Sequence, residues 1–178
     1  MSIIVEGPDG AGKTSLIRVF EQKLGLTVEP KVVNEDMTTT VDLKQWVEDD
    51  NNRGNDGRVL YDRHRLISEC IYGAVFRPNT PSPGFDSYDW LAMELGIFYS
   101  RQPYIVYCLP PLETVQKNVW QDETNMTVRA DIDQIYAHYR VRAAIDHYHT
   151  PTSVWDYTKP ETRDDILSSI IYFLKTGT

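Results

Sequence analysis

Eight residues near the start of the chain, Gly7-Pro8-Asp9-Gly10-Ala11-Gly12-Lys13-Thr14, constrain its fold more than any other stretch. They satisfy the pattern G-x-x-x-x-G-K-[ST] at each required position. Residues 2–6 (Ser-Ile-Ile-Val-Glu) read as a short buried strand. Residues 13–24 read as a helix with Leu16, Phe20 and Leu24 on one stripe. Strand, glycine loop and helix thus come in the order that phosphate binding needs. Glycines let backbone N–H groups turn inward around phosphate oxygens, and the helix N-terminus adds a partial positive charge. Lys13 would reach the β- and γ-phosphates, and the Thr14 hydroxyl would hold Mg²⁺. The candidate nucleotide-binding set is Gly7, Asp9, Gly10, Ala11, Gly12, Lys13, Thr14 and Ser15. The plainer alternative is a glycine turn that happens to contain a lysine. The matching strand and helix on either side argue against it.

The rest of the chain alternates in the same way. Strand-like runs lie at 2–6, 26–29, 58–61, 104–108 and 153–157. Helix-like stretches lie at 13–24, 41–49, 66–75, 88–100, 112–121, 131–149 and 163–175. Short apolar strands alternating with helices predict an α/β fold, a parallel sheet covered on both faces. The last helix carries Ile166, Leu167, Ile170, Ile171 and Leu174 at helical spacing and is expected to pack on the sheet. Residues 49–57 are polar and glycine-rich and read as a loop. Residues 77–84 hold Pro78, Pro81 and Pro83, which excludes a helix or an inner strand. No repeat or low-complexity tract marks a boundary, and 178 residues are most simply one domain.

The run Val59-Leu60-Tyr61-Asp62 ends a strand in a carboxylate. Ligands of open parallel sheets sit at the carboxyl ends of the strands, which brings Asp62 toward the glycine loop. There it can hold a Mg²⁺-bound water or orient the attacking oxygen. Arg63 adds a planar cation suited to a second phosphate, with a surface ion pair as its alternative role. His64 reads as a local hydrogen-bond partner rather than a proton shuttle.

Charge narrows the partner. With 18 basic and 26 acidic residues the net charge is −8, which argues against a nucleic-acid polymer and leaves a single nucleotide open. Cys70 and Cys108 lie in apolar stretches, read as buried thiols, and have no metal-ligand spacing to a histidine. No apolar run approaches the ~20 residues of a membrane span. The N-terminus lacks the pattern of a signal peptide, so the expected location is the cytoplasm. No N-K-x-D guanine motif accompanies the loop, which speaks against a GTP-dependent switch.

Taken together, Glu6-Gly7-Pro8-Asp9-Gly10-Ala11-Gly12-Lys13-Thr14 and Asp62-Arg63-His64 resemble a thymidylate kinase and, more broadly, the P-loop nucleoside and nucleoside-monophosphate kinases. Weaker resemblance runs through Glu29-Pro30, residues 103–113, and Val128-Arg129-Ala130-Asp131 leading into a helix with Tyr136, Tyr139 and Arg140. The resemblance implies a three-layer P-loop kinase fold with a five-stranded parallel sheet, helices on both faces, and a short lid near residues 121–130. It implies ATP and Mg²⁺, a nucleoside or nucleoside monophosphate as acceptor, and a homodimer. By position, Asp9 matches the carboxylate that contacts the sugar 3′-hydroxyl, and Lys13 and Thr14 match the ATP and Mg²⁺ residues. Asp62 and Arg63 match the DR pair, with the arginine on the acceptor monophosphate. Arg129 matches a lid arginine over the transferring phosphoryl. Arg101 is a further acceptor contact, and Tyr72, Phe76, Trp90 and Tyr99 are candidates for a wall that stacks on the base. His64 stands where that family has an aromatic residue, and the lid region holds one arginine where several are common.

The resemblance leaves two acceptors. In the first reading, ATP phosphorylates a deoxynucleoside monophosphate. In the second, the acceptor is a nucleoside 5′-hydroxyl, which must lose a proton; Glu29 would then be the general base, with Arg63 orienting it. A kinase acting on a modified base in DNA and an ATPase module acting on a partner are further readings.

Overall fold

The structure, a computed structural model, describes residues 1–29, 43–53, 58–78 and 88–177. Five strands form one parallel sheet: β1 (Ser2–Glu6), β2 (Thr27–Val28), β3 (Val59–Asp62), β4 (Tyr104–Cys108) and β5 (Thr152–Trp155), in the order β2-β3-β1-β4-β5. Every residue of β1 and β4 is buried, as strands covered on both faces require. The register sets Val5 beside Asp62 on one side and Glu6 beside Tyr107 on the other. The polar ends of β1 and β3 therefore meet at one edge of the sheet.

Seven helices surround it: α1 (Lys13–Leu24), α2 (Leu43–Arg53), α3 (Arg65–Phe76), α4 (Tyr88–Ser100), α5 (Leu112–Gln121), α6 (Ile132–Asp146) and α7 (Glu161–Thr176). α1 lies against β1, β2 and β3, and α7 packs on β5. α2, α3, α4, α5 and α6 are linked by mutual contacts. As the periodicity predicts, α7 buries Ile166, Ile170 and Leu174; Phe173 joins them, its ring 5.3 Å from that of Tyr104. Ile171 faces solvent instead. Cys108 is buried and Cys70 half-buried, both as free thiols. Among the described residues no helix is long and apolar enough to cross a membrane.

Most elements match the sequence reading to within two residues at each end, and three segments depart further. α2 continues to Arg53, through the first part of the expected 49–57 loop. Its polar residues are held by partners distant in sequence: Asp50 by Tyr61 and Arg101, and Asn51 by Glu94. α6 stops at Asp146 rather than 149, where the Thr150 N–H turns back to the Asp146 carbonyl. Residues Glu123–Asp131 form a 3₁₀ helix ahead of α6. Residues 30–42, 54–57 and 79–87 lie outside the described set, and with them Pro30, the start of the 41–49 helix and most of the proline-rich 77–84 segment.

Candidate active site

The glycine loop joins β1 to α1 and is wedged between two other elements. Gly10 (φ +74°) and Gly12 (φ +83°) both occupy the left-handed region. A Cβ on Gly10 would lie 2.9 Å from a Val119 methyl and 3.0 Å from the Val115 carbonyl oxygen, both on α5. One on Gly12 would lie 2.9 Å from the Tyr157 ring. The Asn118 amide donates to the Gly10 carbonyl at 2.8 Å and to the Tyr157 hydroxyl at 2.6 Å, locking α5, the loop and the exit of β5 together. Lys13 Nζ donates to the Pro8 carbonyl at 2.7 Å, so the ammonium lies inside the loop. Burial, reinforced by the Arg63 charge, lowers its pKa to about 8, against the pull of Asp9 and Asp62. Lys13 and Asp62 thus share one electrostatic environment. Thr14 and Ser15 are exposed on the first turn of α1, and Ala11 is buried beneath the loop.

Facing the loop is a compact polar cluster. The Arg63 guanidinium donates to the Gly7 carbonyl (Nε 3.3 Å, Nη2 3.2 Å), to Asp9 Oδ1 (2.7 Å) and to the Tyr72 hydroxyl (2.8 Å). The Tyr72 hydroxyl donates in turn to Asp9 Oδ2 at 2.8 Å. Burial disfavours the Asp9 charge, but Arg63, Lys13 and these hydrogen bonds outweigh it and hold its pKa below the carboxylate range. The phosphate loop and the DR pair therefore form one surface, 54 residues apart in sequence from Asp9 to Arg63.

Other candidates lie elsewhere. Glu29 sits at the mouth of β2, its N–H on the Leu60 carbonyl, and its carboxylate accepts from Arg53 at 2.7 Å. The expectation that Arg63 orients Glu29 is thereby corrected: Arg63 turns to Gly7, Asp9 and Tyr72, and Arg53 holds Glu29. Arg101 is 11 % exposed and donates to the Asp50 carbonyl and carboxylate, both at 2.9 Å, and to Asn51 at 3.1 Å. The end of α4 packs on α2, so this arginine is engaged in a buried network rather than presented to an acceptor. Arg129 donates to the carbonyls of Val119 and Asp122 and lies over the Trp120 ring, capping the end of α5. Of the four aromatic candidates, Tyr72 and Phe76 are neighbours, with ring centroids 6.0 Å apart. Trp90 donates to Glu48, and Tyr99 belongs to a separate cluster in which its hydroxyl donates to Asp146.

Sequence reasoning missed three residues that shape this site. Asn118 and Tyr157 brace the loop across long separations that leave no local signal. Glu6 is wholly buried at the end of β1 and accepts from the His64 N–H at 2.6 Å and the Tyr139 hydroxyl at 3.2 Å. Burial raises its pKa to about 7. A charged residue closing an apolar strand was the visible signal. His64 itself is enclosed by Trp46, Tyr61 and Phe98. Its Nδ1 accepts from the Leu66 N–H, which leaves the ring proton on Nε2, 3.3 Å from Asp50. It is a local hydrogen-bond partner that caps α3.

No protein-family model matches the chain, and no curated protein matches it. Solved structures do. YorR from Bacillus subtilis, in complex with phosphorylated GDP, matches with a TM-score of 0.66 and 18% identity, over 98% of this chain and 96% of that one. Deoxyadenosine kinase from M. mycoides with bound dCTP matches with a TM-score of 0.63 and 14% identity, over 97% and 99%. The same enzyme with dATP matches at 0.61 and 16%, over 96% and 98%. This chain has the P-loop kinase fold. The parallel sheet, the glycine loop leaving β1 and the polar cluster at the end of β3 lie together in it at the carboxyl end of the sheet.

Proposed function

We propose that this chain is an ATP-dependent phosphotransferase that transfers the γ-phosphoryl group to the 5′-hydroxyl of a deoxynucleoside. The observation that carries the choice of acceptor is charge balance. Of the arginines near the loop and the mouth of β2, Arg53 pairs with Glu29 and Arg63 with Asp9. A monophosphate would bring a dianion to arginines already matched by carboxylates, whereas a neutral nucleoside brings no such charge. The likeness to a deoxyadenosine kinase seen with dATP and dCTP supports the same choice.

The residues then divide the work. Loop amides and Lys13 hold the β- and γ-phosphates. Mg²⁺ would be held by the Thr14 hydroxyl and, directly or through water, by Asp62. Among the described residues no cluster of three or more His, Cys, Asp or Glu side chains could cage a metal. Mg²⁺ keeps waters and binds through phosphates with one or two protein oxygens, a part open to the exposed Thr14 hydroxyl. When bound, it neutralises charge on the transferring phosphoryl. Asp9, with its pKa depressed, accepts a hydrogen bond from the sugar 3′-hydroxyl, and Tyr72 orients it. Glu29, steadied by Arg53, takes the proton from the 5′-hydroxyl. Arg129 closes over the phosphoryl group once it leaves the carbonyls at the end of α5, the segment near 121–130 acting as lid.

A second reading, transfer to a deoxynucleoside monophosphate, draws on the placement of Arg63. Its planar cation lies at the mouth of the loop, where an acceptor phosphate could replace Asp9 as partner. One panel separates the two: purified protein, Mg-ATP and the common nucleosides and monophosphates, with ADP release followed. Nucleosides are expected to stimulate release, and Glu29→Gln to lower kcat on them by roughly 10²- to 10⁴-fold. Stimulation by monophosphates alone, untouched by Glu29→Gln, establishes the second reading; stimulation by neither ends both.

A further inference from the structure

We infer that Glu6 is the positioning residue for Arg63: its side chain takes the His64 amide and so fixes the left-handed turn that aims the Arg63 guanidinium at the phosphate loop. The inference rests on the reading of Arg63 as a site residue.

In an extended strand, successive N–H groups point to opposite neighbours. At the end of β3 they do not. The Arg63 N–H reaches β1 through the Val5 carbonyl at 3.0 Å. The next amide, on His64, also reaches β1, through Glu6 Oε1 at 2.6 Å. The rotation that allows this is at Arg63, whose φ is +69°, a conformation that side chains other than glycine rarely adopt. Val5 and Glu6, adjacent on β1, thus hold the two amides on either side of the strained residue. From that turn the guanidinium falls onto Gly7, Asp9 and Tyr72. Glu6 is itself fixed from the other side by the Tyr139 hydroxyl on α6. A carboxyl group wholly buried at the end of an apolar strand is costly unless it has a task, and here it accepts hydrogen bonds from two neutral donors. The charges of Arg63 and Lys13 favour its ionised form.

The experiment compares Glu6→Gln, Glu6→Ala and Glu6→Leu in the full chain, each also combined with Arg63→Ala. Gln keeps an acceptor for the His64 amide and a group for Tyr139. Ala removes both, and Leu fills the same space without an acceptor, so that one apolar variant can be read if the other unfolds. The first readout needs no activity: the ¹H–¹⁵N signal of Arg63 Nε, protected from solvent exchange while the guanidinium stays on Gly7. It is expected to persist in Gln and to vanish in the folded Ala or Leu variant. The second is kcat/KM, expected to fall by at least about ten-fold in Ala or Leu when Arg63 is present and by no more than about two-fold when residue 63 is alanine. A folded Ala or Leu variant with an unchanged Nε signal, or equal losses in both backgrounds, overturns the inference. So does a Gln variant that loses as much as Leu, since charge and not amide acceptance would then be the determinant. If the wild-type protein phosphorylates no acceptor, the kinase reading fails, yet the Nε signal still decides the role of Glu6.

Discussion

Arg63 holds a backbone conformation that a residue with a Cβ adopts at a cost of about 1–2 kcal/mol. The neighbours that sustain it include Glu6, and Glu6 carries a measurable signature of its own. Its pKa in the fold is about 7, against an ordinary 4.5, because burial penalises its charge. Between those values Glu6 binds more protons in the folded chain than in the unfolded one. The Glu6 contribution to stability is therefore greatest below pH 4.5 and is lost as pH rises to about 7. Across that window it amounts to about 3 kcal/mol. His64, whose pKa burial lowers, acts in the opposite sense as pH falls below its ordinary 6.5, so total stability alone does not isolate Glu6. The difference between wild type and Glu6→Gln does. Denaturant titrations from pH 4.5 to 7.5 should show wild type losing ground to Glu6→Gln as pH rises; parallel curves would remove the raised pKa.

Among the elements, α5 and α2 do opposite things with polar residues. α5 presents Asn118 to the glycine loop and braces it from outside. Replacing Asn118 with alanine removes two hydrogen bonds, each worth about 1 kcal/mol, from a loop that must hold its amides inward. KM for ATP is expected to rise by roughly three- to ten-fold with kcat little changed; steady-state kinetics at saturating acceptor checks this. α2 turns its polar residues inward and makes them structural. Arg101 and Asp50 form an ion pair that is 11 % and 2 % exposed at its two ends, with Tyr61 also donating to Asp50. Arg101→Ala leaves that carboxylate buried without its cation and is expected to cost about 3–5 kcal/mol of stability. Its KM for acceptor should stay near wild type wherever the variant remains folded. A stable Arg101→Ala protein with a weakened acceptor KM would return this arginine to the binding site.

At the scale of the whole molecule, the proposed function links ligand binding to folding at the end of the sheet where β1, β3 and the loop converge. Mg-ATP at 100 times its dissociation constant adds about 2.7 kcal/mol to stability. For a chain of this length that raises Tm by roughly 5–10 °C. A thermal-shift measurement should show the rise in wild type and its loss in Lys13→Met; an equal shift in both would place ATP away from the loop. The chain alone determined a great deal of this. The glycine pattern with its flanking strand and helix, the alternation that made a parallel sheet, and a strand ending at Asp62 are local features, written in spacing and hydrophobicity, and they carry the fold and the meeting of the glycine loop with the end of β3. Contacts between distant segments decided the rest. Arg101 and Arg129 look alike in sequence as candidate cations, yet one is folded into α2 and the other caps α5. The polar run after Asp49 looks like a loop, yet Tyr61, Glu94 and Arg101 supply partners that hold it in a helix. Asn118 meets Gly10 across 108 residues, and Glu6 meets His64 across 58. Hydrophobic periodicity says which face is buried; it does not say which buried polar group finds which partner, because that match is set only when the elements pack.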